Sequence, residues 1–522
     1  MPKQVDGVYQ ITTEREFYSF VALVNGRLVG VNQDTSASAV LKKDITVNAK
    51  VLKEDGSLVD DTGSLKTWVP IGYSDGARVQ TYTGTFDGGG HTISGLYFDD
   101  KSISYVGLFG SSTGTIKNVK VADSYFKGDT NVGGICGKNE GNIEGCEASG
   151  KVEANNQYAD IGGICGYNGT GYVKDCTAAV KVNTSLKHEK AGGICGENIG
   201  TIEKCNSIGE MKINGSSSYG GGICGINNSS GVIKSCYNTG TVYCDENAGG
   251  ICGSNNGEVA DCYNLASVSG NTYLASDVGG ICGGNRSVIS NCYNVGSVSG
   301  YGRYFGKVCG TNYGGSITNC YYQDSSESDS IAGTTFKTAD QFAGGEVAYL
   351  LNEGKTDNDV VWRQTLTGEK DTIPVLDSEH GIVYRSKVDW WLALLIGGSL
   401  VYMAYLTAES IIKSRGTQWF LIGTFLITFA ILVPLLQIKY IFYSQYLLVS
   451  CGIYGKVRIA YGEIRNVKET KNPLSSAALS LDRIQIDYEK NGIHQMVLIS
   501  PVQKKEFLKN LEKNRTRVTG KA

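Results

Sequence analysis

Residues 279–294 read Gly279-Gly280-Ile281-Cys282-Gly283-Gly284-Asn285 and, after three further residues, Ile289-Ser290-Asn291-Cys292-Tyr293-Asn294. Seven copies of this pattern place a first cysteine at intervals of 27 to 30 residues, at Cys136, Cys165, Cys195, Cys224, Cys252, Cys282 and Cys309. A second cysteine follows each of these after 10 to 12 residues, at Cys146, Cys176, Cys205, Cys236, Cys262, Cys292 and Cys320. An asparagine always stands three residues after the first cysteine. Such regular spacing predicts a structural repeat.

The composition indicates which kind of repeat this is. The 522-residue chain holds 70 glycines and has no proline between Pro70 and Pro374, which favours uninterrupted backbone ladders. Its short apolar runs, separated by turn-forming residues, differ from the longer periodic runs of helical repeats. We therefore predict a mainly β protein, a parallel β-solenoid with one coil per repeat of about 29 residues. A cysteine-free copy begins at Val106 and brings the prediction to about eight coils.

Equivalent residues of successive coils stack into columns. The two cysteine columns are interpreted as small apolar side chains that fill the interior, in preference to disulfides, whose geometry the sequence does not reveal. The asparagine column is interpreted as an amide ladder at a turn, with a functional role as the alternative. Four scattered histidines and the absence of a Cys-x-x-Cys pair predict no metal site, and no cofactor is predicted.

A tyrosine follows the second cysteine in four late copies. If the second cysteine points inward, its neighbour points outward, because successive residues of a strand face opposite sides. The sequence thus predicts an exposed aromatic strip that could bind a protein or a glycan, formed by Tyr237, Tyr263, Tyr293 and Tyr321. The alternative is that the stacked tyrosines only stabilise one another.

Two uncharged apolar runs of 18 residues, 390–407 and 419–436, predict a two-helix transmembrane hairpin over 385–438. Tryptophans at the ends of the runs are typical of an aromatic belt. A buried hairpin of a soluble domain is the alternative. The N-terminal residues contain no apolar segment, so no secretory signal is predicted.

Charge is distributed unevenly along the chain. Residues 439–521 hold 15 Lys and Arg against 7 Asp and Glu, whereas residues 1–384 carry a net charge of −13. The sequence predicts that basic residues of this tail face lipid, namely Lys456, Arg458, Arg465, Lys468, Lys471 and Arg483. The alternative is the ordinary excess of basic residues on the cytoplasmic side of a membrane. The predicted partners are a lipid bilayer and a protein or glycan, with no nucleic acid.

The quoted repeat resembles the GLUG motif. Segments Tyr9–Gly26 and Tyr82–Ile93 look like the usual leader of proteins with this motif, and 337–376 resembles their closing segment, so the resemblance covers about 5–384. It implies a bacterial surface protein, adhesin-like in some members. One group of such proteins carries an immunoglobulin A peptidase, which needs a His-Glu-x-x-His zinc helix. This chain lacks that motif, so the activity is not carried over.

Residues 384–514 resemble small bacterial membrane proteins that have a YyaB-like pleckstrin-homology (PH) domain. The resemblance rests on Ser386–Trp391, on Asn472–Ile484 and on Ile499-Ser500-Pro501 before a final helix. It implies a small β-rich domain after two spans, without an established reaction. The two resemblances meet near Tyr384, which leaves a fusion of two genes or a joined reading frame open.

The sequence thus predicts five segments and one principal function. The segments are a leader (1–100), the repeats (101–330), a closing segment (331–384), the hairpin (385–438) and a PH-like basic domain with a C-terminal helix (439–522). The predicted function is membrane-anchored, non-enzymatic recognition or adhesion. One alternative is a cytoplasmic membrane-associated scaffold with a lipid-sensing PH-like domain.

The other alternative is a carbohydrate-active enzyme that uses carboxylates on one coil face. Its candidate acids do not all fall at one position of the repeat: Asp160, Asp175, Glu197, Glu203, Glu258 and Asp261. The predicted location is the cell membrane. The family resemblance places the soluble domains at the cell surface, and the excess of Lys and Arg outside the hairpin loop places them in the cytoplasm.

Overall fold

Each copy of the repeat forms one coil of a parallel β-solenoid in the computed structural model, and equivalent strands of successive coils pair in register. The structure describes residues 1–519 except 74–79, 272–276, 301–303, 324–330, 354–359, 365, 367–372, 377–381, 388–437, 443–445, 451–455, 472–479, 481 and 491–492. The chain divides into two compact units, Met1–Pro374 and Val375–Ala522.

The solenoid unit contains four ladders, which we name after the residue that characterises each. The isoleucine ladder consists of Lys3–Val5, Val8–Ile11, Ser38–Leu41, Thr85–Asp87, Thr115–Lys117, Asn142–Glu144, Tyr172–Lys174, Thr201–Glu203, Val232–Lys234, Glu258–Ala260, Val288–Ser290 and Ser316–Thr318. The glycine ladder consists of Tyr105–Val106, Asn131–Gly133, Asp160–Gly162, Lys190–Gly192, Tyr219–Gly221, Asn247–Gly249, Asp277–Gly279 and Phe305–Gly306.

The other two ladders complete each coil. The cysteine ladder consists of Phe109–Ser112, Cys136–Asn139, Cys165–Asn168, Cys195–Asn198, Cys224–Asn227, Cys252–Asn255, Cys282–Asn285 and Cys309–Asn312. The tyrosine ladder consists of Ile45–Thr46, Thr92–Ser94, Tyr97–Asp99, Lys120–Gly128, Glu147–Ala154, Thr177–Thr184, Asn206–Ser207, Met211–Ile213, Tyr237–Asn238, Val242–Cys244, Tyr263–Asn264, Val268–Gly270, Tyr293–Asn294, Val298–Ser299, Cys320–Tyr322 and Thr334–Phe336.

The solenoid has about ten coils, so the prediction of eight was too low. In the isoleucine ladder, the ten strands from Ser38–Leu41 to Ser316–Thr318 follow one another in parallel pairs. The two additional coils are built from the leader, where Ala39 and Phe86 occupy the inward position that Ile116 and Ile143 fill later. The cysteine motif does not reveal these coils because aromatic side chains fill their interior instead.

The first coils are closed by the helix Glu14–Val24. Thr13 and Glu16 form a capping box at its start, because each side chain accepts a hydrogen bond from the other residue's backbone N–H. Its inward face carries Phe17 and Phe20, which are fully buried. The Phe17 ring stacks on that of Trp68 with 5.1 Å between centroids. An amphipathic helix thus covers the apolar end that an open solenoid would expose to water.

The glycines of the repeat lie where backbones pass too closely for a side chain. A Cβ on Gly162 would lie 1.9 Å from the carbonyl oxygen of Cys165, and one on Gly166 would lie 2.6 Å from the backbone nitrogen of Val132. Both distances are well below van der Waals contact. The tight corner between the glycine and cysteine ladders therefore requires the motif's glycines.

In its described residues, the C-terminal unit has the layout of a small β domain with one α-helix. Four antiparallel strands form one sheet (Ile382–Arg385, Lys439–Phe442, Tyr446–Ser450 and Lys456–Ala460), and three form another (Ile464–Thr470, Arg483–Lys490 and Ile493–Ile499). The helix Lys504–Thr519 places Phe507 edge-on against Phe442, with 4.6 Å between ring centroids. The remaining elements are the strands Trp362–Arg363 and Val375–Leu376, the helices Ala339–Ala343 and Glu346–Leu351, and 3₁₀ turns at Thr62–Ser64 and Tyr461–Glu463.

The strand Ile382–Arg385 of this unit precedes residues 386–437 in the chain. Ile382–Arg385 pairs antiparallel with Lys439–Phe442. Tyr384 is buried in the core of the unit, and its hydroxyl accepts a hydrogen bond from Asn510 Nδ2 at 2.6 Å. The boundary that the sequence suggests near residue 384 therefore falls inside a strand, and that strand belongs to the C-terminal unit.

The prediction of an integral membrane protein with a two-helix hairpin is not supported and must be corrected. None of the helices within the described residues is long and apolar enough to cross a bilayer. The predicted spans, 390–407 and 419–436, lie outside the described residues. Runs of 18 apolar residues are at the short end of what a bilayer requires, about 20, so hydropathy alone was weak evidence for a span.

Candidate functional site

The cysteines fill the interior of the solenoid and present no reactive surface. The fifteen that the structure describes are all buried, and none of these fifteen forms a disulfide. Neighbours in a column are close, as between the Sγ atoms of Cys165 and Cys195, which are 3.6 Å apart. Burial raises the pKa of the Cys136 thiol, and it raises that of Cys244 to about 12. The thiols of Cys136 and Cys244 are therefore protonated at neutral pH. The burial of all fifteen side chains confirms the interpretation of the cysteines as interior side chains.

The asparagine column is a continuous amide ladder, as predicted. Each side-chain Nδ2 donates to the Oδ1 of the next coil over distances of 2.7 to 3.1 Å. The ladder consists of Asn139, Asn168, Asn198, Asn227, Asn255, Asn285 and Asn312. Six of these side chains are fully buried, so they are not available to a ligand.

The residue with left-handed backbone geometry in each coil is not the asparagine of the amide ladder. The residue before the second cysteine, or its equivalent, has φ between 52° and 62° in eight coils, at Asn118, Gly145, Asp175, Lys204, Ser235, Asp261, Asn291 and Asn319. The asparagines of the ladder are in strands instead. The prediction that they adopt turn geometry is therefore wrong, although the ladder itself is confirmed.

Three of the four tyrosines in the predicted strip are buried, and Tyr237 is partly exposed. Tyr237, Tyr263 and Tyr293 stack with 5.0 Å between neighbouring ring centroids. The closing segment lies over them: the rings of Phe342 and Trp362 pack within 5.5 Å of that of Tyr293. Tyr263, Tyr293 and Tyr321 are 2 %, 0 % and 6 % exposed. The side chains point outward from the coil, as the strand period requires, but they form the docking surface of the chain's own closing segment.

The six basic residues of the C-terminal unit do not form one surface. Arg483 is buried on the central strand of its sheet, and its Nε donates to the carbonyl oxygen of Ser480 at 2.6 Å, so its prediction as a lipid-facing residue is wrong. Arg465, Lys468 and Lys471 are exposed on or beside one sheet, and Arg458 is exposed on the other, over the ring of Tyr446. Lys456 lies on a strand, and its side chain is outside the described part.

A different outward surface joins polar and aromatic side chains along the corner between the glycine and cysteine ladders. We call it the corner strip. One column of it belongs to the glycine ladder and contains Tyr105, Asn131, Asp160, Lys190, Tyr219, Asn247 and Asp277. The second belongs to the cysteine ladder and contains Lys138, Tyr167, Glu197, Ile226, Ser254, Gly284 and Thr311.

Two carboxylates of the strip meet at one lysine. Lys190 Nζ lies 3.0 Å from Asp160 Oδ1 and also contacts Glu197 Oε2. Asn228 Nδ2 donates to Glu197 Oε1 at 2.5 Å. Burial raises the pKa of Asp160 to about 7, and Lys190 opposes this shift. The group can therefore both donate and accept hydrogen bonds near neutral pH.

Further along the strip, Asp277 is held by two hydroxyl groups. Thr311 Oγ1 and the Tyr313 hydroxyl each donate to its carboxylate at 2.7 Å. The guanidinium carbon of Arg286 lies 4.3 Å from the centroid of the Tyr313 ring. In the described part of the chain, no group of three or more His, Cys, Asp or Glu side chains is placed to hold a metal ion.

Sequence reasoning missed the corner strip, although a signal for it exists. The two columns stand at fixed offsets, five residues before and two residues after the first cysteine of each copy. Asp160 and Glu197 differ in offset and are 37 residues apart, so a search for acids at one common position separates them. The fold brings them together because the corner turns the two columns toward the same side.

Comparison with known proteins agrees with both halves of this description. Residues 128–153 match the GLUG motif, and residues 438–515 match the bacterial PH domain. The chain is also 38 % identical over 92 residues, 17 % of its length, to halomucin of Haloquadratum walsbyi. The matched segment spans about 1 % of halomucin. One stretch of the β-solenoid thus matches the GLUG motif, and most of the C-terminal unit beyond residue 437 matches the bacterial PH domain.

One solved structure matches this chain weakly. It is that of a "putative immunoglobulin A1 protease" from Bacteroides ovatus, at 20 % identity and a TM-score of 0.34, with 71 % of this chain and 93 % of that chain covered. A likeness at this level carries no argument about activity.

Proposed function

We propose that the solenoid is a non-enzymatic recognition module whose ligand is a glycan and whose binding surface is the corner strip. The observation that carries the proposal is the combination on one strip of partly exposed tyrosines with hydrogen-bonding side chains. Tyr105, Tyr167 and Tyr219 are all partly exposed, and Asp160, Lys190, Glu197 and Asn228 lie among them.

The chemistry of the strip suits a sugar better than an apolar partner. A tyrosine ring offers a flat apolar face with a polar edge, which matches the C–H face and the hydroxyl rim of a sugar ring. A few convergent polar groups fix orientation. The likeness to a segment of halomucin and the surface role implied by the GLUG resemblance support recognition as the task.

Binding to a glycan array tests this proposal. The full chain is labelled and compared with Tyr167→Ala, and Tyr349→Ala serves as the matched control because Tyr349 is 72 % exposed in the closing segment. We expect at least one glycan class to bind the wild type and the control, and Tyr167→Ala to bind at least tenfold more weakly. The proposal would be wrong if no glycan bound the wild type, or if Tyr167→Ala and Tyr349→Ala bound glycan equally well.

Incubation of the protein with a polysaccharide that it binds tests for enzymatic activity. The raised pKa of Asp160 beside Glu197 resembles the unequal pair of carboxyl groups that glycosidases use. Non-enzymatic binding predicts that a bound polysaccharide keeps its length after prolonged incubation. Release of reducing ends that Glu197→Gln abolishes would replace recognition by cleavage.

The second candidate function belongs to the C-terminal unit, and the match to the bacterial PH domain favours it. We propose that Lys468 and Lys471, both exposed on or beside one sheet, attract an anionic lipid surface, with about 1 kcal/mol from each. Assignment to the YyaB-like kind of PH domain is part of this proposal.

Vesicle sedimentation of the full chain tests it, with and without phosphatidylserine at low salt. Lys468→Glu/Lys471→Glu should reduce binding, and Lys42→Glu in the solenoid, also exposed, should not. Equal sedimentation with neutral and anionic vesicles would contradict the proposal that the C-terminal unit binds anionic lipid.

A further inference from the structure

The tyrosines of the corner strip recur at every second coil. In the glycine ladder, Tyr105 pairs with Asn131 and Asn131 with Asp160, so two coil steps separate Tyr105 from the coil of Tyr167. Two more steps, through Lys190, lead to Tyr219. Since neighbouring strands are ~4.8 Å apart, consecutive rings are displaced by ~10 Å along the solenoid axis.

Charged pairs occupy the coils between the rings. Lys138 Nζ lies 3.1 Å from Glu140 Oε1 in the coil between Tyr105 and Tyr167. Lys190 and Glu197 form the pair in the coil between Tyr167 and Tyr219. Both Tyr105 and Tyr167 lie close enough to Lys138 to act on its pKa, so the rings flank the pair. Along the axis the strip thus alternates an aromatic ring with a hydrogen-bonding pair.

This alternation matches the chemistry of an extended β-linked polysaccharide. In a β-1,4-linked chain, the linkage of cello- and chito-oligosaccharides, neighbouring sugars are turned over relative to each other, so every second sugar presents the same face. Every second sugar could stack its apolar face on a tyrosine ring, and each intervening sugar, which is turned over, could form hydrogen bonds with a Lys–Glu pair. Each of the two lysines is paired with at least one carboxylate, so the strip has no excess of positive charge to attract an acidic chain, which favours an uncharged one.

The alternation ends after Tyr219. The next two coils present small residues at the cysteine-ladder column, Ser254 and Gly284, and the Tyr313 ring packs against the position that a Cβ of Gly284 would take. Tyr313 is already hydrogen-bonded to Asp277 and covered on one face by Arg286. The strip from Tyr105 to Tyr219 spans four coil steps, or ~19 Å, enough for about five sugars.

We propose that this part of the corner strip binds an uncharged, extended β-linked polysaccharide that runs parallel to the solenoid axis and stacks alternate sugars on Tyr105, Tyr167 and Tyr219. The proposal rests on the glycan-recognition function above and specifies the class of glycan, its direction and the length of the site.

Calorimetric titration of the full chain with cello- and chito-oligosaccharides of two to six sugars tests the proposal, with malto-oligosaccharides, which are α-linked and coiled, as the comparison series. We expect the affinity of at least one β-linked series to rise at least tenfold between the dimer and the pentamer and to level off at the hexamer. The malto-pentamer should bind at least tenfold more weakly than the β-linked pentamer.

Variants locate the site. Tyr167→Ala should reduce pentamer affinity at least tenfold and remove most of the gain with length, because it removes the central ring. Tyr167→Phe should retain most of the affinity. Tyr349→Ala is the matched control, since Tyr349 is 72 % exposed and belongs to the helix Glu346–Leu351 of the closing segment, not to either column of the strip. Unchanged melting temperatures would show that the variants are folded.

The outcomes separate the two proposals. Affinity for β-linked sugars that does not depend on length, equal binding of malto-oligosaccharides, or full affinity in Tyr167→Ala would overturn the axial site while leaving glycan recognition intact. If no glycan of any class binds, the proposed function fails, and the axial site fails with it.

Discussion

One column of the tyrosine ladder has two different characters along its length. In the earlier coils it holds Thr92, Lys120, Glu147, Thr177 and Asn206, and in the later coils Tyr237, Tyr263, Tyr293 and Tyr321. The early side chains are partly exposed, and Lys120 Nζ lies 3.0 Å from Glu147 Oε1. The late ones stack, and the closing segment covers them. The backbone is equivalent throughout.

The comparison shows that in a solenoid the side chains of a column decide what lies against it. Charged and hydroxyl side chains keep the early face in water. Stacked tyrosines create an apolar surface that gains free energy when it is covered, and the closing segment supplies Phe342 and Trp362 for that purpose. Substitutions in the two regions should therefore differ in their effects, and the largest effect is expected at the covered face.

Removing a stacked tyrosine should loosen the closing segment. Tyr293→Ala deletes a fully buried ring that contacts Tyr263, Phe342 and Trp362, which should cost about 3–5 kcal/mol of unfolding free energy. Urea unfolding measures the loss, and limited proteolysis should cut within residues 331–374. Thr177→Ala, at the same column in an early coil, should change stability by less than about 0.5 kcal/mol. Equal effects of the two substitutions would contradict the comparison.

A buried carboxyl group makes the early coils sensitive to pH. Burial raises the pKa of Glu189 to about 7, although Thr184 Oγ1 donates to both carboxylate oxygens. Because the unfolded chain loses this proton near its ordinary pKa of 4.5, stability should fall as pH rises from about 4.5 to 7, by roughly 3 kcal/mol. Glu189→Gln should reduce the slope of that part of the profile in urea unfolding from pH 4 to 8, and the slope that remains should come from Asp160, whose pKa burial also raises to about 7. An unchanged slope would show that the carboxyl titrates normally.

Interrupting the amide ladder should cost less. Asn198→Ala removes the acceptor of Asn168 Nδ2 and the donor to Asn227 Oδ1, and two buried polar groups that lose partners should cost about 2 kcal/mol. Thermal unfolding checks this. Asn206→Ala serves as the control because its amide lies on the open early column, and it should cost well under half as much. If both variants melt alike, the ladder does not contribute as an amide network.

A glycine substitution at the left-handed position before the second cysteine should stabilise the solenoid. Lys204 has φ 55°, and Asn291 occupies the equivalent place in a late coil at φ 52°. Lys204→Gly should raise the unfolding free energy by about 1 kcal/mol because the Cβ penalty disappears. Asn291→Gly should gain little, since asparagine tolerates this geometry. Chemical denaturation of both variants measures the difference, and a larger gain at Asn291 would contradict the argument.

The smallest effect is expected at the exposed ion pair. Lys120→Ala should cost less than about 0.5 kcal/mol, because Lys120 and Glu147 are 40 % and 47 % exposed and water screens their attraction. The difference from wild type should vanish in 1 M salt. A loss above 1 kcal/mol that persists in salt would mean that Lys120 contributes through packing.

Much of the solenoid could be predicted from the sequence because its cause is local. The repeat length, the inward cysteines and the asparagine ladder all depend on residues at fixed offsets that stack on copies of themselves. The two leader coils were missed because Ala39 and Phe86 serve the same inward role without the motif. The corner strip was missed because its two columns belong to different ladders.

The sequence by itself determined the coil, its period and the residues that repeat. Only the tertiary structure decided which outward columns remain in contact with water. The tyrosines after the second cysteine point outward by strand period alone, but a segment that begins about 10 residues beyond the last of them packs over that face. The same holds for Ile382–Arg385, which completes a sheet with residues more than 50 positions later. Periodicity sets direction within a strand, whereas coverage depends on contacts between segments far apart in the chain.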